Sequence, residues 1–311
     1  MRRRGATVEL RRPRSGSRES WGGRLVRQSL QDVGFHVEHR GTYLTEARPR
    51  VQRIHTLLVQ SAWNVVTDPV FEDLSRPYPR AMQRRFRARR LMTMWHLRRA
   101  SRVVCLTEAL ADLVRPLTAA EILVRPVPCT TDLPRLVTAL PGRPQARWQN
   151  AVLVPGTVTW FKQPWKALPA VCALQETHPE PLTVVFAGTD DGSGASDYTS
   201  SLAEQRGINA EFLSLKRPQM VRAVRDARAV IVPSTLESLS LSLLEALYLS
   251  PLVLATGIAV HREAAARTGR TPLWLENLGP ENTFDGSAPA PPVDPTPAWL
   301  EVGRALGLRR T

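Results

Sequence analysis

From Asn150 onward, short apolar runs alternate with helix-like segments. The runs predict strands at Ala151–Pro155, Leu182–Ala187, Glu211–Leu213, Ala229–Val232 and Leu252–Ala255, and the segments between and after them predict helices over 165–177, 197–206, 218–226, 239–249 and 260–267. Strands that are apolar throughout and joined by helices describe a parallel sheet covered on both faces. In such doubly wound sheets ligands bind at the carboxyl ends of the strands, where the loops holding Gly156, Gly188, Lys216 and Glu237 fall.

The first half follows the same α/β pattern less regularly. Its candidate strands are Ala6–Leu10, Phe35–Glu38, Ile54–Val59, Asn64–Thr67, Arg102–Leu106 and Glu121–Val127, with helices near 22–33, 78–100 and 107–115. The segment Pro128–Gln149, with Pro134, Pro141 and Pro144, reads as a linker. The chain of 311 residues is long enough for two ordinary domains, expected at 1–140 and 150–278. A Pro-rich stretch over 279–297 and a short amphipathic helix at Ala298–Leu306 complete a tail, 279–311, whose helix is expected to cross back to the first domain.

Charge separates the halves. Residues 1–150 carry 28 basic and 12 acidic side chains, +16, and residues 151–311 carry 14 and 16, −2, which together make the net +14. Only Lys162, Lys166 and Lys216 are lysines, all in the neutral half, and a lysine amid so many arginines marks a place suited to a compact ammonium. No run approaches the roughly 18 apolar residues of a membrane span, and the start lacks the apolar region of a signal peptide, so the expected address is cytoplasmic. Cys105, Cys129 and Cys172 are odd in number and sit in or near apolar segments, which fits reduced thiols.

The chemistry concentrates between Ile231 and Glu263, where a buried strand, a polar turn and a helix carry Glu237 and Glu245 eight positions apart. One carboxylate falls in the loop before the helix and the other on its second turn. The helix amino end adds free N–H groups and a positive dipole, a ready anion site. Carboxylates accept from hydroxyls while backbone donors hold phosphates, so the set suits a diphosphate flanked by two sugars, as in a nucleotide sugar.

These residues resemble the retaining glycosyltransferases with two facing Rossmann-like domains, the GT-B fold, of the "group 1" family numbered 4. The resemblance rests on Glu237-Ser-Leu-Ser-Leu-Ser-Leu-Leu-Glu245 after Val-Pro-Ser, and on VLVPGTVTWFK with Gly156 and Lys162; it covers about Ala151 to Gly269 and, loosely, Arg102 to Leu133. It implies an α/β protein of two such domains, the first shortened and binding the acceptor. It implies no cofactor: the co-substrate is a nucleotide-diphosphate sugar, and the acceptor is a carbohydrate, a lipid-linked or a small-molecule hydroxyl. Lys162 would neutralise the leaving diphosphate. Glu245 would hold the ribose hydroxyls, and Glu237, with Ser238, Leu239, Ser240 and Leu241, would grip the transferred sugar and the phosphates. Gly156, Thr157 and Gly188 would complete the donor loops. No metal is expected, because Lys162 and the helix end would take over the role of a divalent ion.

The chain departs from the family in two places. The arginine usual after the loop glycine is absent, leaving Lys166, Lys216 and Arg217 to replace it, and Ser238-Leu239-Ser240-Leu241 stands where the family has Phe-Gly-Leu-Pro. Gly22 and Gly23 resemble the family's acceptor loop, and His55 is the candidate histidine near the sugar. Simpler readings stand beside these: a helix cap and a solvated face for the two glutamates, an exposed lysine for Lys162, a core histidine for His55. Asp190-Asp191 reads as a turn rather than a metal-binding pair. The basic segment Arg84 to Arg102 reads as a solvated helix face or as a docking surface for anionic membrane; nucleic acid is not expected as a partner. The alternative function is a non-catalytic, GT-B-derived nucleotide-binding or scaffold subunit.

Overall fold

The computed structural model describes residues 21–34, 54–59, 62–278, 284, 289 and 293–306. The described elements are, in chain order, α1 (Trp21–Asp32), β1 (Ile54–Leu58), α2 (Asp68–Ser75), α3 (Arg80–Arg99), β2 (Ala100–Cys105), α4 (Glu108–Val114), β3 (Glu121–Val124), α5 (Leu133–Thr138), α6 (Ala146–Gln149), β4 (Ala151–Pro155), α7 (Leu168–Thr177), β5 (Thr183–Ala187), α8 (Ala195–Gln205), β6 (Asn209–Leu213), α9 (Arg217–Asp226), β7 (Ala229–Val232), α10 (Leu241–Leu249), β8 (Val253–Ala255), α11 (Ala259–Thr268), β9 (Leu273–Trp274) and α12 (Thr296–Ala305). The strands predicted at Ala6–Leu10 and Phe35–Glu38 lie outside the described residues.

Among the described residues two sheets form, with strand orders β1-β2-β3 and β6-β5-β4-β7-β8-β9, and all their pairs are parallel. Each strand of the larger sheet returns through a helix, as apolar strands without hairpin turns require. Side chains alternate across it: Leu153, Val185, Val230 and Val232 face one core, and Val152, Val184, Phe186 and Ile231 face another. The first core also takes in Leu58 and Val104 of the smaller sheet, so a single apolar body joins the two halves. Leu57, Val103 and Cys105 point to the opposite face of the smaller sheet, toward Leu97 of α3 and Leu110 and Val114 of α4.

Several boundaries differ from the sequence expectation. The strand predicted at Asn64–Thr67 is a 3-10 turn, Ala62–Asn64, followed by α2, because Asp68 and Pro69 open a helix with an acidic first turn and a proline needing no N–H partner. Within the predicted linker, Cys129, Leu133 and Trp148 are buried and two short helices form, α5 starting on a proline in its first turn. The two-residue strand β9 was hidden in the sequence by its length. Cys105 and Cys129 are buried free thiols, each pushed by burial up to about 12, and Cys172 is half-buried and free. No helix among the described residues is long and apolar enough to cross a membrane.

The final helix does cross back. α12 packs on α1, and Trp299, fully buried, donates its indole N–H to the carbonyl of Cys129 at 2.8 Å. Trp299→Ala is expected to cost about 3–5 kcal/mol in a denaturant titration; a loss below about 1 kcal/mol would mean that the helix is not part of the core.

Candidate functional site

Two backbones touch at the carboxyl ends of β4 and β5. A Cβ on Gly188 would lie 1.9 Å from the carbonyl oxygen of Gly156, so glycine is required at 188, and Gly156 itself has φ +125°. The Gly156 N–H donates to Ala187 O at 2.9 Å and the Gly188 N–H to Leu213 O at 2.8 Å, which binds three strand ends into one floor. Above it opens a crevice of about 480 Å³ lined by Gly156, Thr157, Gly188, Leu215, Ser242 and Glu245. A second hollow of about 250 Å³ shares Gly156 and Thr157 and is lined by Lys162 and Ser234.

Lys162 and Glu237 meet at this second hollow. The loop after Gly156 turns back through Gln163, a non-glycine residue at φ +47°, and lays the lysine across Gly156. The Lys162 ammonium lies 2.7 Å from Glu237 Oε1, with the two side chains only 21% and 12% exposed. Burial raises the Glu237 carboxyl, but the Lys162 charge, helped by His261 and Ser234, outweighs it and holds the group below the usual carboxylate range.

Glu245 faces the larger crevice from α10 and is 1% exposed. Arg217 holds it, with Nη1 donating to Oε2 and Nη2 facing Oε1, each at 2.8 Å. The same guanidinium donates to Asp132 at 2.9 and 3.1 Å and to Thr130 Oγ1 at 2.9 Å. Burial lowers Arg217, but the Glu245 and Asp132 charges outweigh it and hold the guanidinium above its ordinary range. Asp132 is likewise raised by burial and lowered further by Arg217, ending below its usual value.

The loop between the two glutamates is fixed from both sides. Thr107, which caps α4, donates its hydroxyl to the Ser238 carbonyl at 2.9 Å. Leu239, Ser240 and Leu241 are buried, and Ser240 opens α10 in the left-handed region at φ +52°. Its hydroxyl lies 2.9 Å from Nε2 of His261, which is fully buried on α11. Burial holds His261 below its usual 6.5, partly opposed by the Glu237 charge.

The structure thus brings Gly156, Thr157, Gly188, Lys162, Glu237 and Glu245 together with Ser238, Leu239, Ser240 and Leu241. Arg217 holds Glu245 on the crevice wall but does not itself line the crevice, and its guanidinium is taken up by two carboxylates. Lys216 is exposed at the start of α9, and Lys166 is exposed in a 3-10 turn. Gly22 and Gly23 lie in the first turn of α1, which begins at Trp21, and not in a loop before the helix. His55 is the second residue of β1, about 10 Å of strand before Leu58, away from the carboxyl ends where ligands bind. Only its backbone is described.

Asp190 and Asp191 accept from the N–H groups of Gly192 and Ser193 at 2.9 and 3.0 Å, the turn that their sequence predicted. Among the described residues no three His, Cys, Asp or Glu side chains cluster so as to hold a metal ion. Asp132, Thr130, Thr107 and His261 join the site without any motif to announce them. Asp132 reaches Arg217 across 85 positions, a separation no local pattern encodes.

Comparison with known proteins bears on the same residues. Positions 144–274, which include Gly156, Lys162, Gly188, Glu237 and Glu245, match the family model of glycosyl transferases group 1. No curated protein sequence matches the chain. Among solved structures it is similar to WaaG, a glycosyltransferase involved in lipopolysaccharide biosynthesis, at 16% identity and TM-score 0.54, covering 83% of this chain and 67% of that one. It is also similar to alpha,alpha-trehalose-phosphate synthases from Burkholderia vietnamiensis (UDP-forming; 10% identity, TM-score 0.50, 81% of this chain and 64% of that one) and Burkholderia multivorans (11%, 0.50, 81% and 62%). At these identities the likeness is one of fold, the α/β GT-B architecture with parallel sheets, and the chain spans about two thirds of the length of these proteins.

The buried carboxylates predict how stability depends on pH. Glu237 and Asp132 are held below their ordinary 4.5 and 3.8, so each contributes stability that is complete above those values and is lost as pH falls through the lower folded ones. The urea midpoint is expected to be steady above pH 6.5, to begin falling below it because the unfolded chain protonates His261 while the buried ring resists, and to drop further below 4.5 and 3.8 as the two carboxylates lose their pairing; an unchanged midpoint down to about pH 2 would contradict the pairing.

Proposed function

We propose that the protein is a retaining, metal-independent glycosyltransferase that moves a sugar from a nucleotide-diphosphate sugar to an acceptor hydroxyl. The observation that carries this reading is the Lys162–Glu237 pair, 2.7 Å apart, beside the glycine floor and before the amino end of α10. A diphosphate laid over Gly156 meets the ammonium there, and the cation neutralises the charge that collects on the phosphate as the sugar leaves. Glu237 then accepts from sugar hydroxyls. Glu245, oriented by Arg217, accepts from the ribose hydroxyls, while Thr157, Gly188 and Leu215 line the crevice around the nucleotide.

Neither glutamate needs to attack the sugar, since the acceptor hydroxyl approaches on the face from which the phosphate departs, which gives retention. Lys162 and the helix end fill the place of a divalent ion. The acceptor is a carbohydrate, a lipid-linked or a small-molecule hydroxyl, so the product is a cell-surface polysaccharide, a glycolipid or a small glycoside made in the cytoplasm. One observation favours a second reading: of the three residues offered in place of the missing loop arginine, Lys166 and Lys216 are exposed and Arg217 is engaged by Asp132 and Glu245. A non-catalytic nucleotide-binding or scaffold subunit would need no free clamp.

One titration separates the two. With UDP, GDP and ADP in EDTA, one nucleotide is expected to bind and Glu245→Gln to weaken it about tenfold. Lys162→Ala is expected to lower turnover of the matching sugar conjugate by about a hundredfold or more while changing nucleotide affinity less. Binding without turnover would favour the subunit; unchanged kinetics in both variants would refute the site.

The outward face of α3 supports a membrane partner. Leu91, Met92 and Trp95 are 70%, 39% and 50% exposed, Arg84, Arg85, Arg98 and Arg99 are exposed on the same helix, and Arg99 stacks on Trp95 at 4.5 Å. The helix carries no acidic residue, so each arginine near an anionic surface adds roughly 1 kcal/mol while the apolar side chains enter the interface. Cosedimentation with anionic vesicles is expected, and Leu91→Glu with Trp95→Glu should abolish it; equal binding to neutral vesicles would sink the idea.

A further inference from the structure

Ser240 stands at φ +52°, ψ +58°, one position before α10. A side chain in that region is strained and stays there only where its surroundings impose it. Ser240 is also 4% exposed, so its hydroxyl must find a partner or lose its hydration for nothing.

His261 is that partner, and its second nitrogen decides how the bond is made. Nδ1 lies 2.8 Å from the carbonyl oxygen of Thr256, which can only accept, so Nδ1 carries the hydrogen. The buried ring, held neutral, then presents a bare Nε2, and the Ser240 hydroxyl donates to it across 2.9 Å. The Thr256 hydroxyl donates in turn to the carbonyl of Ser234. The chain Ser234–Thr256–His261–Ser240 therefore starts and ends on the two flanks of Glu237.

We infer that His261 is a positioning residue: it holds Ser240 in the left-handed turn and so sets Glu237 and the amino end of α10 against the glycine floor. It acts through Ser240 and lies outside the crevice itself. A serine at this turn needs the histidine; a glycine would not, because it enters positive φ without strain. The inference rests on the glycosyltransferase reading only for what the loop binds, a nucleoside diphosphate.

The test compares wild type, His261→Ala, Ser240→Gly and the double variant. Affinity for whichever of UDP, GDP and ADP binds is measured well below the thermal midpoint of every variant, where a merely destabilised protein is still folded and binds normally. His261→Ala is expected to weaken binding about tenfold, and adding Ser240→Gly to recover most of that loss. Undiminished affinity in folded His261→Ala, or no recovery in the double variant, overturns the inference. Should wild type bind none of the three, the glycosyltransferase reading fails by itself, and the thermal midpoints of the same four proteins decide. Recovery by Ser240→Gly of the midpoint lost in His261→Ala supports the clamp, and no recovery removes it. If His261→Ala does not fold, folding of the double variant is the recovery sought.

Discussion

Glu245 is a carboxylate inside the apolar body of α10, and it is tolerable there only because a counter-charge reaches it. That counter-charge, Arg217, is shared with Asp132 and Thr130, which belong to the segment leaving the smaller sheet. Stranding any one of these charges would cost about 3–5 kcal/mol, so the network ties the start of α9, the second turn of α10 and the segment before α5 into one register. The larger crevice inherits its shape from that register, since Glu245 forms part of its wall.

Strain gathers around the same place. Gly156, Gln163 and Ser240 all have positive φ, and only the first is a glycine. Each lies where the chain must turn sharply to bring a side chain or a helix end over the floor: Gln163 directly after Lys162, Ser240 directly before α10. Packing imposes these turns, with the Val158–Asp190 bridge on one side and the buried His261 on the other. The result is a cation and a helix end fixed before any ligand arrives, the condition under which electrostatic stabilisation needs no reorganisation.

The smaller sheet supports the site from behind. Thr107 at the end of β2 holds the Ser238 carbonyl, and Glu263 on α11 accepts from the N–H groups of Glu108 and Ala109 at 3.1 and 3.2 Å. Arg267, ion-paired to Glu263, donates to the carbonyl of Val127. An aromatic group of Trp63, Phe71, Tyr78 and Phe86 meets Phe161 of the lysine loop, with Trp63 and Phe161 centroids 5.2 Å apart. Arg84, Arg85, Arg98 and Arg99 are exposed on α3 and are not part of the crevice lining.

The larger sheet was readable in the sequence because β4, β5, β7 and β8 are short runs buried on both faces, while the helices between them are longer segments, most of them mixed in polarity, so run length and periodicity separate the two. The glycine loop, Lys162 and the two glutamates were readable too, being local and close to the strand ends that fix them. The smaller sheet was harder: Val65 and Val66 are apolar like a strand, and only the packing of α3 above them and the proline after Asp68 decide for a turn and a helix. What tertiary structure alone decided is which charge meets which. Arg217 could have clamped a phosphate or a carboxylate; its partners lie 85 and 28 positions away, and His261 finds Ser240 across 21. The cost of a buried charge or hydroxyl depends on what surrounds it in space, a quantity set only when the two halves of the chain close on each other.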